Sequence, residues 1–335
     1  MRFSTKLVAW FIGLMIITGL VYVLLIYEVS GRALRDEVYK GLNDNVIHSM
    51  STLDTFLYER YGDIQLIAQD PILTSRDSTP EMITDRLLRY RDTYKVYASL
   101  SFFDLDRVRI ADTSGIDVGV VHDFVGYWKD VLLGNVSPGW DVRVSEDLGI
   151  KVIHFASPVL DKEGVIIGYA VARVQLTRVI REIGNQLGKL RQIEENVRVD
   201  LVDSKGGLIH STSWDSVLNI DLWSKLSSLL SSSDNGVFEA DVKGVPYLLA
   251  YASQNGVYDY KGNGWTLLLW SPREEAMWTI QSLTKIFFVL GVFLTLTFAL
   301  ATLAFARHVT RPLNELYEAT AHVQKGYYGV KLEIK

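Results

Sequence analysis

The histidines are the first residues of this sequence to consider for metal binding or proton transfer, because imidazole is a common metal ligand and titrates near neutral pH. The six are scattered along the chain, at His48, His122, His154, His210, His308 and His322. None of them are paired at the short spacings that zinc sites use, and cysteine is absent from the sequence. We therefore predict no structural zinc site and no resident cofactor.

Sequence motifs of the common catalytic sites are also missing. The chain contains no Walker loop, no glycine pattern for a dinucleotide, no nucleophile elbow and no paired zinc-protease histidines. These residues therefore predict no enzyme, although a longer protein could carry a kinase or cyclase domain. With 34 basic and 39 acidic residues the net charge is −5, which argues against a nucleic-acid-binding surface.

Two uncharged apolar runs, residues 7–27 and 286–306, lie near the two ends of the chain. Each is long enough, at about 1.5 Å per residue, to span the roughly 30 Å hydrocarbon core of a bilayer. Basic residues flank the runs on their terminal sides: Arg2, Lys6, Arg307, His308 and Arg311. The positive-inside rule then places both termini in the cytoplasm and the central part outside. A cleaved signal peptide is the alternative for the first run, but residues 23–28 offer no small-residue cleavage site.

A one-sided apolar stripe continues after the first run. Apolar residues recur every three or four positions from Leu34 to Ala68, up to Pro71, as in an amphipathic helix. This helix would be roughly 60 Å long, far more than an average globular helix. Its apolar face must be covered, and two alternatives stay open: its own domain alone, or in addition the same helix of a second copy.

An internal repeat organises the central part. A sequence pattern that begins at Leu100 recurs 99 positions later. Asp104 aligns with Asp203, and Thr113-Ser114 aligns with Thr212-Ser213. Internal duplication is the simplest explanation. Each copy continues into a helical insert and further short strands. We predict an α+β protein in which a long N-terminal stalk helix precedes two tandem lobes with antiparallel sheets.

This arrangement resembles the double Cache sensor domain of bacterial transmembrane receptors, in which two PAS-like lobes follow a stalk helix between two membrane spans. The tail carries a second resemblance. It reads Arg311-Pro312-Leu313-Asn314-Glu315-Leu316, then Ala319, Ala321-His322-Val323 and Gly326, and is similar to the first helix and connector of a HAMP signal-relay module. Proline suits the first turn of a new helix, where its missing N–H donor costs nothing. A HAMP module needs a second helix, so this resemblance implies an output domain that lies further along a longer chain or is borrowed from another protein.

The resemblance divides the chain into eight segments. They are a cytoplasmic N-terminus (1–6), a first transmembrane helix (7–27), the stalk helix (28–70), a membrane-distal lobe (71–175), a connecting helix (176–196), a membrane-proximal lobe (197–275), a second transmembrane helix (284–306) and a partial HAMP module (307–335). It also implies a homodimer, formed through the stalk and HAMP helices, in the bacterial inner membrane.

In double Cache proteins the distal lobe carries the ligand cavity, between the central sheet and the helical insert. The resemblance therefore implies nine candidate ligand-binding residues here: Phe102, Asp112, Tyr127, Trp128, Trp140, Asp141, Arg143, His154 and Arg173. Aromatic walls with a few convergent polar groups are typical of small-molecule sites. The alternative for Phe102 and Trp140 is that they are only core residues.

Two departures from the family pattern bear on the ligand. Amino-acid-binding members resemble one another in an Arg-x-Trp-Tyr element and in an aspartate on the last strand, which holds the ligand's ammonium. Here the first element reads Val125-Gly126-Tyr127-Trp128, and Arg173 stands where the aspartate would be. A cation repels an ammonium and holds a carboxylate, so we expect an anionic organic acid. The alternative is that Arg173 pairs with Asp112 or Asp141 and contacts no ligand.

Two functions from different classes follow. In the first, the chain is a receptor that senses a small molecule outside the cell and signals through HAMP to a histidine kinase, diguanylate cyclase or chemotaxis domain. In the second, it is a membrane-tethered scaffold whose lobes bind another envelope protein. An open distal cavity with polar groups favours the receptor, and a large exposed apolar patch favours the scaffold.

Overall fold

The computed structural model describes residues 3–145, 148–189, 197–212 and 220–305, together with the single positions 308, 320 and 324. The chain divides into two compact units. One comprises Lys40–Arg273, and the other combines Met1–Tyr39 with Glu274–Lys335. The predicted HAMP segment, 307–335, lies almost wholly outside the described residues and stays a prediction.

Helices and two sheets make up the described chain. The helices are α1 (Phe3–Ala68), α2 (Pro80–Tyr94), α3 (Trp128–Val131), α4 (Leu176–Lys189), α5 (Ile220–Leu230) and α6 (Arg273–Phe305). The distal strands are β1 (Tyr97–Phe103), β2 (Arg109–Asp112), β3 (Ser137–Val144), β4 (Lys151–Leu160) and β5 (Ile166–Gln175). The proximal strands are β6 (Arg198–Val202), β7 (Leu208–Ser211), β8 (Asn235–Val242), β9 (Val245–Ser253) and β10 (Thr266–Pro272).

The two sheets have the same topology. Their strand orders are β2-β1-β5-β4-β3 and β7-β6-β10-β9-β8, and every pairing is antiparallel. Each order places the last strand of the lobe beside the first, in the middle of the sheet. The predicted fold class, a long N-terminal helix with two tandem antiparallel-sheet lobes, is confirmed.

The repeat extends to individual hydrogen bonds. In the distal lobe the backbone N–H of Leu100 donates to Thr113 Oγ1 across 2.9 Å, and the backbone N–H of Thr113 donates back to the carbonyl of Leu100 across 3.0 Å. In the proximal lobe Val199 and Thr212 make the same two bonds, also at 2.9 and 3.0 Å. The aligned threonines therefore close equivalent hairpins, as expected of a duplicated unit.

The stalk part of α1 is covered largely by its own domain. Val46, Leu53, Leu57 and Ile64 are fully buried within the larger unit. Burial of side chains of this size contributes roughly 1.5–3 kcal/mol each. Leu66, which lies off the stripe, is 63% exposed.

The smaller unit contains the terminal apolar segments. Lys285–Phe305 of α6 is long and apolar enough to cross a membrane, and Ile12–Leu25 of α1 is a shorter apolar stretch. The two helices approach closely at Gly19, where a Cβ atom would lie only 2.6 Å from Thr295 Oγ1. The absence of a side chain at Gly19 thus allows this contact, as small residues do between membrane helices.

Candidate functional site

The distal lobe contains an open cavity of about 490 Å³ between its sheet and the segment that connects β2 to α3. All five strands of the distal sheet contribute lining residues, and the connecting segment contributes residues between positions 117 and 127. Four of the nine predicted residues line this cavity: Tyr127, Arg143, His154 and Arg173.

Strand alternation decides which face of β1 the cavity uses. Ser101 and Phe103 line the cavity. The ring of Phe102 instead packs against Gly168, where an added Cβ atom would lie only 2.5 Å from Phe102 Cζ. Successive side chains of a strand generally point to opposite faces, and Ser101 and Phe103 share the face that lines the cavity. Phe102 is buried, but it is not among the residues that line the cavity.

Arg173 forms a buried ion pair in the wall of the cavity. Its Nη2 lies 2.8 Å from Asp112 Oδ2, and the two side chains are 3% and 0% exposed. Asp112 also accepts hydrogen bonds from the hydroxyls of Ser101 and Ser114. Arg173 further donates to Ser145 Oγ across 3.3 Å. The structure therefore contains the pairing with Asp112 that was one alternative for Arg173, and Arg173 also lines the cavity. Asp112 itself is not among the lining residues.

Asp141 holds two residues of the aromatic wall in position. Its Oδ2 accepts the backbone N–H of Tyr127 across 3.2 Å, and its backbone carbonyl lies 3.1 Å from His154 Nδ1. Because a carbonyl can only accept, this contact places a proton on Nδ1 of His154. Burial raises the pKa of the Asp141 carboxyl, while the nearby Arg143 opposes that shift. Asp141 thus positions two cavity residues without lining the cavity itself.

Tyr127 and His154 form the inner aromatic wall. Their rings are nearly parallel, with centroids 5.5 Å apart and an interplanar angle of 28°. Burial raises the pKa of the Tyr127 hydroxyl, so the phenol stays protonated at neutral pH. Tyr127 can therefore donate a hydrogen bond to a ligand oxygen.

Arg143 covers an aromatic ring at the cavity. Its guanidinium carbon lies 3.3 Å from the ring centroid of Phe124, and its Nη2 lies 3.5 Å from Asp141 Oδ2. The side chain is 31% exposed, which makes it the most accessible of the three cavity arginines. A stacked guanidinium keeps its N–H groups at the ring edge, where they can meet an anion.

Arg109 is a cavity residue that the sequence reading missed. Its side chain is only 4% exposed, its Nη1 donates to the carbonyl of Ile116 across 2.8 Å, and its Nη2 lies 3.5 Å from His122 Nδ1. Arg109 pairs directly with Phe103 across the β1-β2 hairpin. The predicted hairpin register could have found it, because cross-strand partners share a face.

The two tryptophans take other positions. Trp128 is buried in the core cluster with Phe103 and Tyr169. Trp140 donates through Nε1 to Asp130 across 2.6 Å. Neither tryptophan belongs to the cavity lining. Both therefore support the helical insert rather than forming the predicted aromatic contact surface.

The cavity is rich in basic side chains. Three arginines and two histidines line it, against two carboxylates on its outer side, Asp117 and Asp123. The side chains of these aspartates are 43% and 75% exposed, so solvent screens them. Each arginine also lies near a carboxylate: Arg173 is 2.8 Å from Asp112, Arg143 is 3.5 Å from Asp141 and Arg109 is 3.9 Å from Asp117. The guanidinium groups nevertheless supply N–H donors at the cavity surface, where they can meet an anion.

In the proximal lobe a tryptophan occupies the position that is equivalent to Arg173. Arg173 lies opposite Ser99 in the distal sheet, and the matching pair in the proximal sheet is Trp270 opposite Arg198. Trp270 is 1% exposed and packs in the proximal core cluster. The duplicated scaffold thus carries an arginine beside a cavity in one lobe and a core tryptophan in the other.

No protein-family model and no curated protein sequence matches this chain. Solved structures nevertheless share its fold. The ligand-binding domain of the Campylobacter jejuni chemoreceptor Tlp3, in complex with L-valine, has a TM-score of 0.54 at 13% identity and covers 74% of this chain and 98% of its own. The ligand-binding domain of the Pseudomonas aeruginosa amino acid chemoreceptor PctB, in complex with L-arginine, has a TM-score of 0.54 at 16% identity. This match covers 72% of this chain and 97% of the PctB domain. The extracellular domain of soHK1S-Z6, classed as a histidine kinase, has a TM-score of 0.56 at 16% identity, with 74% and 98% covered.

The chain therefore has the fold of bacterial double Cache-type sensory domains, as its sequence predicted. The two chemoreceptor neighbours are ligand-binding domains, and the third is an extracellular domain. At identities of this size the likeness describes the fold, and the ligand has to be argued from the cavity itself.

Proposed function

We propose that this chain is the sensing part of a bacterial membrane receptor that binds a small organic anion in its distal lobe. The observation that carries the proposal is the cavity of about 490 Å³ lined by Arg109, Arg143 and Arg173. This volume lies within the usual range of small-molecule sites, about 300–1,000 Å³. A carboxylate entering it would meet guanidinium donors, which bind planar oxyanions through paired hydrogen bonds.

An amino acid fits this cavity less well than its anionic counterpart, although the chemoreceptor neighbours are complexes with amino acids. An ammonium needs an available carboxylate. Asp112 is already paired with Arg173, and Asp141 is bonded to the backbone of Tyr127 and lies near Arg143. The inner carboxylates are thus occupied, which favours a ligand that carries negative charge alone.

The connection to the membrane supports a receptor. Strand β4 carries the cavity residue His154 and begins at Lys151. The Nζ of Lys151 donates to the backbone carbonyl of Ile209 in the proximal lobe. The last proximal strand, β10, is followed directly by α6, which contains the apolar segment Lys285–Phe305. We propose that a rearrangement at the cavity passes through these contacts to a membrane-spanning α6.

The remaining parts of the proposal follow from the sequence. The chain would cross the inner membrane twice, with both termini in the cytoplasm, the sensor outside and a homodimer formed through the stalk. HAMP residues after α6 would pass the signal to a kinase, cyclase or chemotaxis output. A ligand can bias such a receptor only through its different affinities for the two signalling states.

Exposed valines near the cavity favour the second candidate, a scaffold that binds an envelope protein. Val118 and Val125 are 50% and 78% exposed, and the cavity-lining Val120 and Val121 are 48% and 53% exposed. Apolar residues grouped at a surface commonly mark protein contacts. Under this proposal a Val125→Glu variant would lose an envelope partner while keeping anion binding.

The test compares each ligand with its des-amino counterpart. We expect the full chain in detergent to bind 3-methylbutanoate more tightly than L-valine, measured by titration calorimetry and thermal unfolding. Arg143→Gln should weaken carboxylate binding at least about tenfold, the effect of losing one charge-assisted contact. Arg107→Gln is the matched control, because Arg107 is also 31% exposed but lies outside the cavity lining. Tighter binding of the amino acids, or equal effects of the two variants, would contradict the proposal.

A further inference from the structure

A second, smaller cavity lies in the larger unit, where the stalk part of α1 faces the ends of β8 and β9. Its volume is about 170 Å³. Residues of α1 between positions 47 and 54 form one wall, and the segment 252–257 forms the other. This place is separate from the distal cavity, with which it shares no lining residue.

Asp54 is the buried charged group of this cavity. It is 3% exposed, and its Oδ2 accepts the backbone N–H groups of Asn255 and Gly256 across 3.2 and 3.1 Å. Within the described chain its Oδ1 is fully buried and makes no hydrogen bond of normal geometry, although the side chain of Gln254 interacts with the carboxyl. A buried carboxylate that is incompletely hydrogen-bonded is costly, so a further donor from a ligand would stabilise it.

The lining has the chemistry of a site for a cation. Neither lysine, arginine nor histidine is among its lining residues, while Asp54 is joined there by a second carboxylate, Asp234. Hydroxyl and amide oxygens on Ser51, Ser253 and Asn235 add acceptors. Burial raises the pKa of the Asp54 carboxyl, as expected for a charge that lacks a cationic partner.

The other half of the lining is apolar, which distinguishes between kinds of cation. Ile47, Met50, Ala252 and Val257 form it. A bare calcium ion needs six to eight oxygen ligands, roughly, and several carboxylates. No cluster of three acidic, histidine or cysteine side chains suitable for a metal occurs among the described residues. A primary ammonium needs only about three acceptors and tolerates apolar walls around its carbon atoms.

We propose that this cavity binds a small primary alkylammonium ion, whose nitrogen donates to the carboxylate of Asp54 and whose short alkyl group contacts the apolar wall. The site is independent of the anion proposed for the distal lobe. It gives the receptor a second input of opposite charge.

The position of the site connects two elements that signalling would move. The segment after β9 is also held against α1 by two aromatic pairs, Tyr58 with Tyr258 and Tyr61 with Tyr260, at centroid distances of 5.5 and 5.6 Å. A ligand between them adds a contact to the same junction. Occupancy would therefore strengthen the attachment of the stalk to the proximal lobe.

The experiment measures thermal unfolding and calorimetric binding of the full chain in detergent with methylammonium, ethylammonium and propylammonium chlorides. Potassium and tetramethylammonium chlorides at equal ionic strength are the reference salts. We expect the primary ammonium ions to raise the unfolding temperature and the reference salts not to. Asp54→Asn should weaken binding at least tenfold, whereas Asp259→Asn, an exposed carboxylate on the same segment, should bind as the wild type.

A second variant keeps the result interpretable if Asp54→Asn folds poorly. Ser51 is an exposed helix residue that lines the cavity, so Ser51→Leu should fold, narrow the cavity and abolish binding with Asp54 intact. Arg143→Gln should leave ammonium binding unchanged, which separates this site from the distal one. No response to primary ammonium ions, an equal response to potassium, or full binding by both cavity variants would overturn the proposal. In the first case the side-chain NH2 group of Gln254, whose nitrogen is buried and makes no other hydrogen bond of normal geometry, satisfies the Asp54 carboxylate instead.

Discussion

Arg173 and Asp112, which are 61 positions apart in the sequence, form an ion pair of 2.8 Å in the wall of the distal cavity, and both side chains are almost fully buried. The pair closes a polar network that includes the hydroxyls of Ser101 and Ser114. Arg173 therefore has a structural partner as well as a place in the cavity lining. Changing it tests stability and binding together, so Arg143 is the better probe of the ligand.

Breaking this pair should destabilise the protein. Asp112→Asn leaves the buried Arg173 charge without its counter-ion, and removal of one partner of a buried pair typically costs about 3–5 kcal/mol. The free energy of unfolding, measured by urea denaturation of the full chain in detergent, should fall by that amount. The double variant Arg173→Leu with Asp112→Leu should recover much of the loss, because no isolated charge remains. A double variant less stable than Asp112→Asn would show that the network matters beyond charge pairing.

The buried Asp54 carboxyl should make the stability of the protein depend on pH. Burial raises the pKa of its carboxyl, with hydrogen bonds to Gln254, Asn255 and Gly256 opposing the shift. A carboxyl with a higher pKa in the folded state holds its proton more tightly there, so its favourable contribution is full at low pH and is lost as pH rises through the folded-state pKa. Without added amines, Asp54→Asn should therefore be more stable than the wild type at neutral pH. This difference should shrink as the pH falls, and a variant that is less stable at neutral pH would contradict the assignment.

The repeated threonine contacts predict effects of different size in the two lobes. Thr113→Val leaves the buried N–H of Leu100 without its acceptor, which costs about 1–3 kcal/mol. Thr212→Val removes the matching bond of Val199 at a more exposed position, so the loss should be about 0.5–1.5 kcal/mol. Thr55→Val, at an exposed helix position, should change stability by less than about 0.5 kcal/mol. Equal losses of stability in all three variants would show that the repeated threonine hydrogen bonds are not the cause of the losses.

The stalk should form the contact between two copies. Leu66 is 63% exposed on the stalk, and the neighbouring Ile67 is 1% exposed. Since the sequence has no cysteine, Leu66→Cys and Ile67→Cys each introduce a single thiol. Under mild oxidation in membranes we expect Leu66→Cys to form a disulfide-linked dimer and Ile67→Cys to stay monomeric on non-reducing gels. Equal, low yields would count against a stalk-mediated homodimer.

Charge asymmetry at the apolar runs predicts the topology. A fluorescent protein fused after Lys335 should fluoresce, and alkaline phosphatase inserted in the exposed serine turn at 231–234 should be active, because these reporters work inside and outside the cytoplasm respectively. Exchanging the two reporters is the control and should silence both. Activity of the exchanged pair would reverse the orientation and place the distal cavity in the cytoplasm.

The cavity illustrates where sequence reasoning stops. Phe102 and Phe103 are adjacent and of one type, and the sequence alone offers no reason to prefer either for the ligand site. The face of each depends on its cross-strand partners, and the pairing of β1 with β2 shifts register between these two residues. Arg109 enters the site through that same pairing, opposite Phe103.

The sequence by itself determined the fold class and its order along the chain. The 99-residue repeat and the stripe from Leu34 to Ala68 are local patterns, and local patterns specify strands, helices and their succession. Only the tertiary structure decided which charges are neutralised, because an electrostatic interaction depends on separation in space. Arg173 meets Asp112 from another strand, and Asp54 meets backbone N–H groups about two hundred positions later.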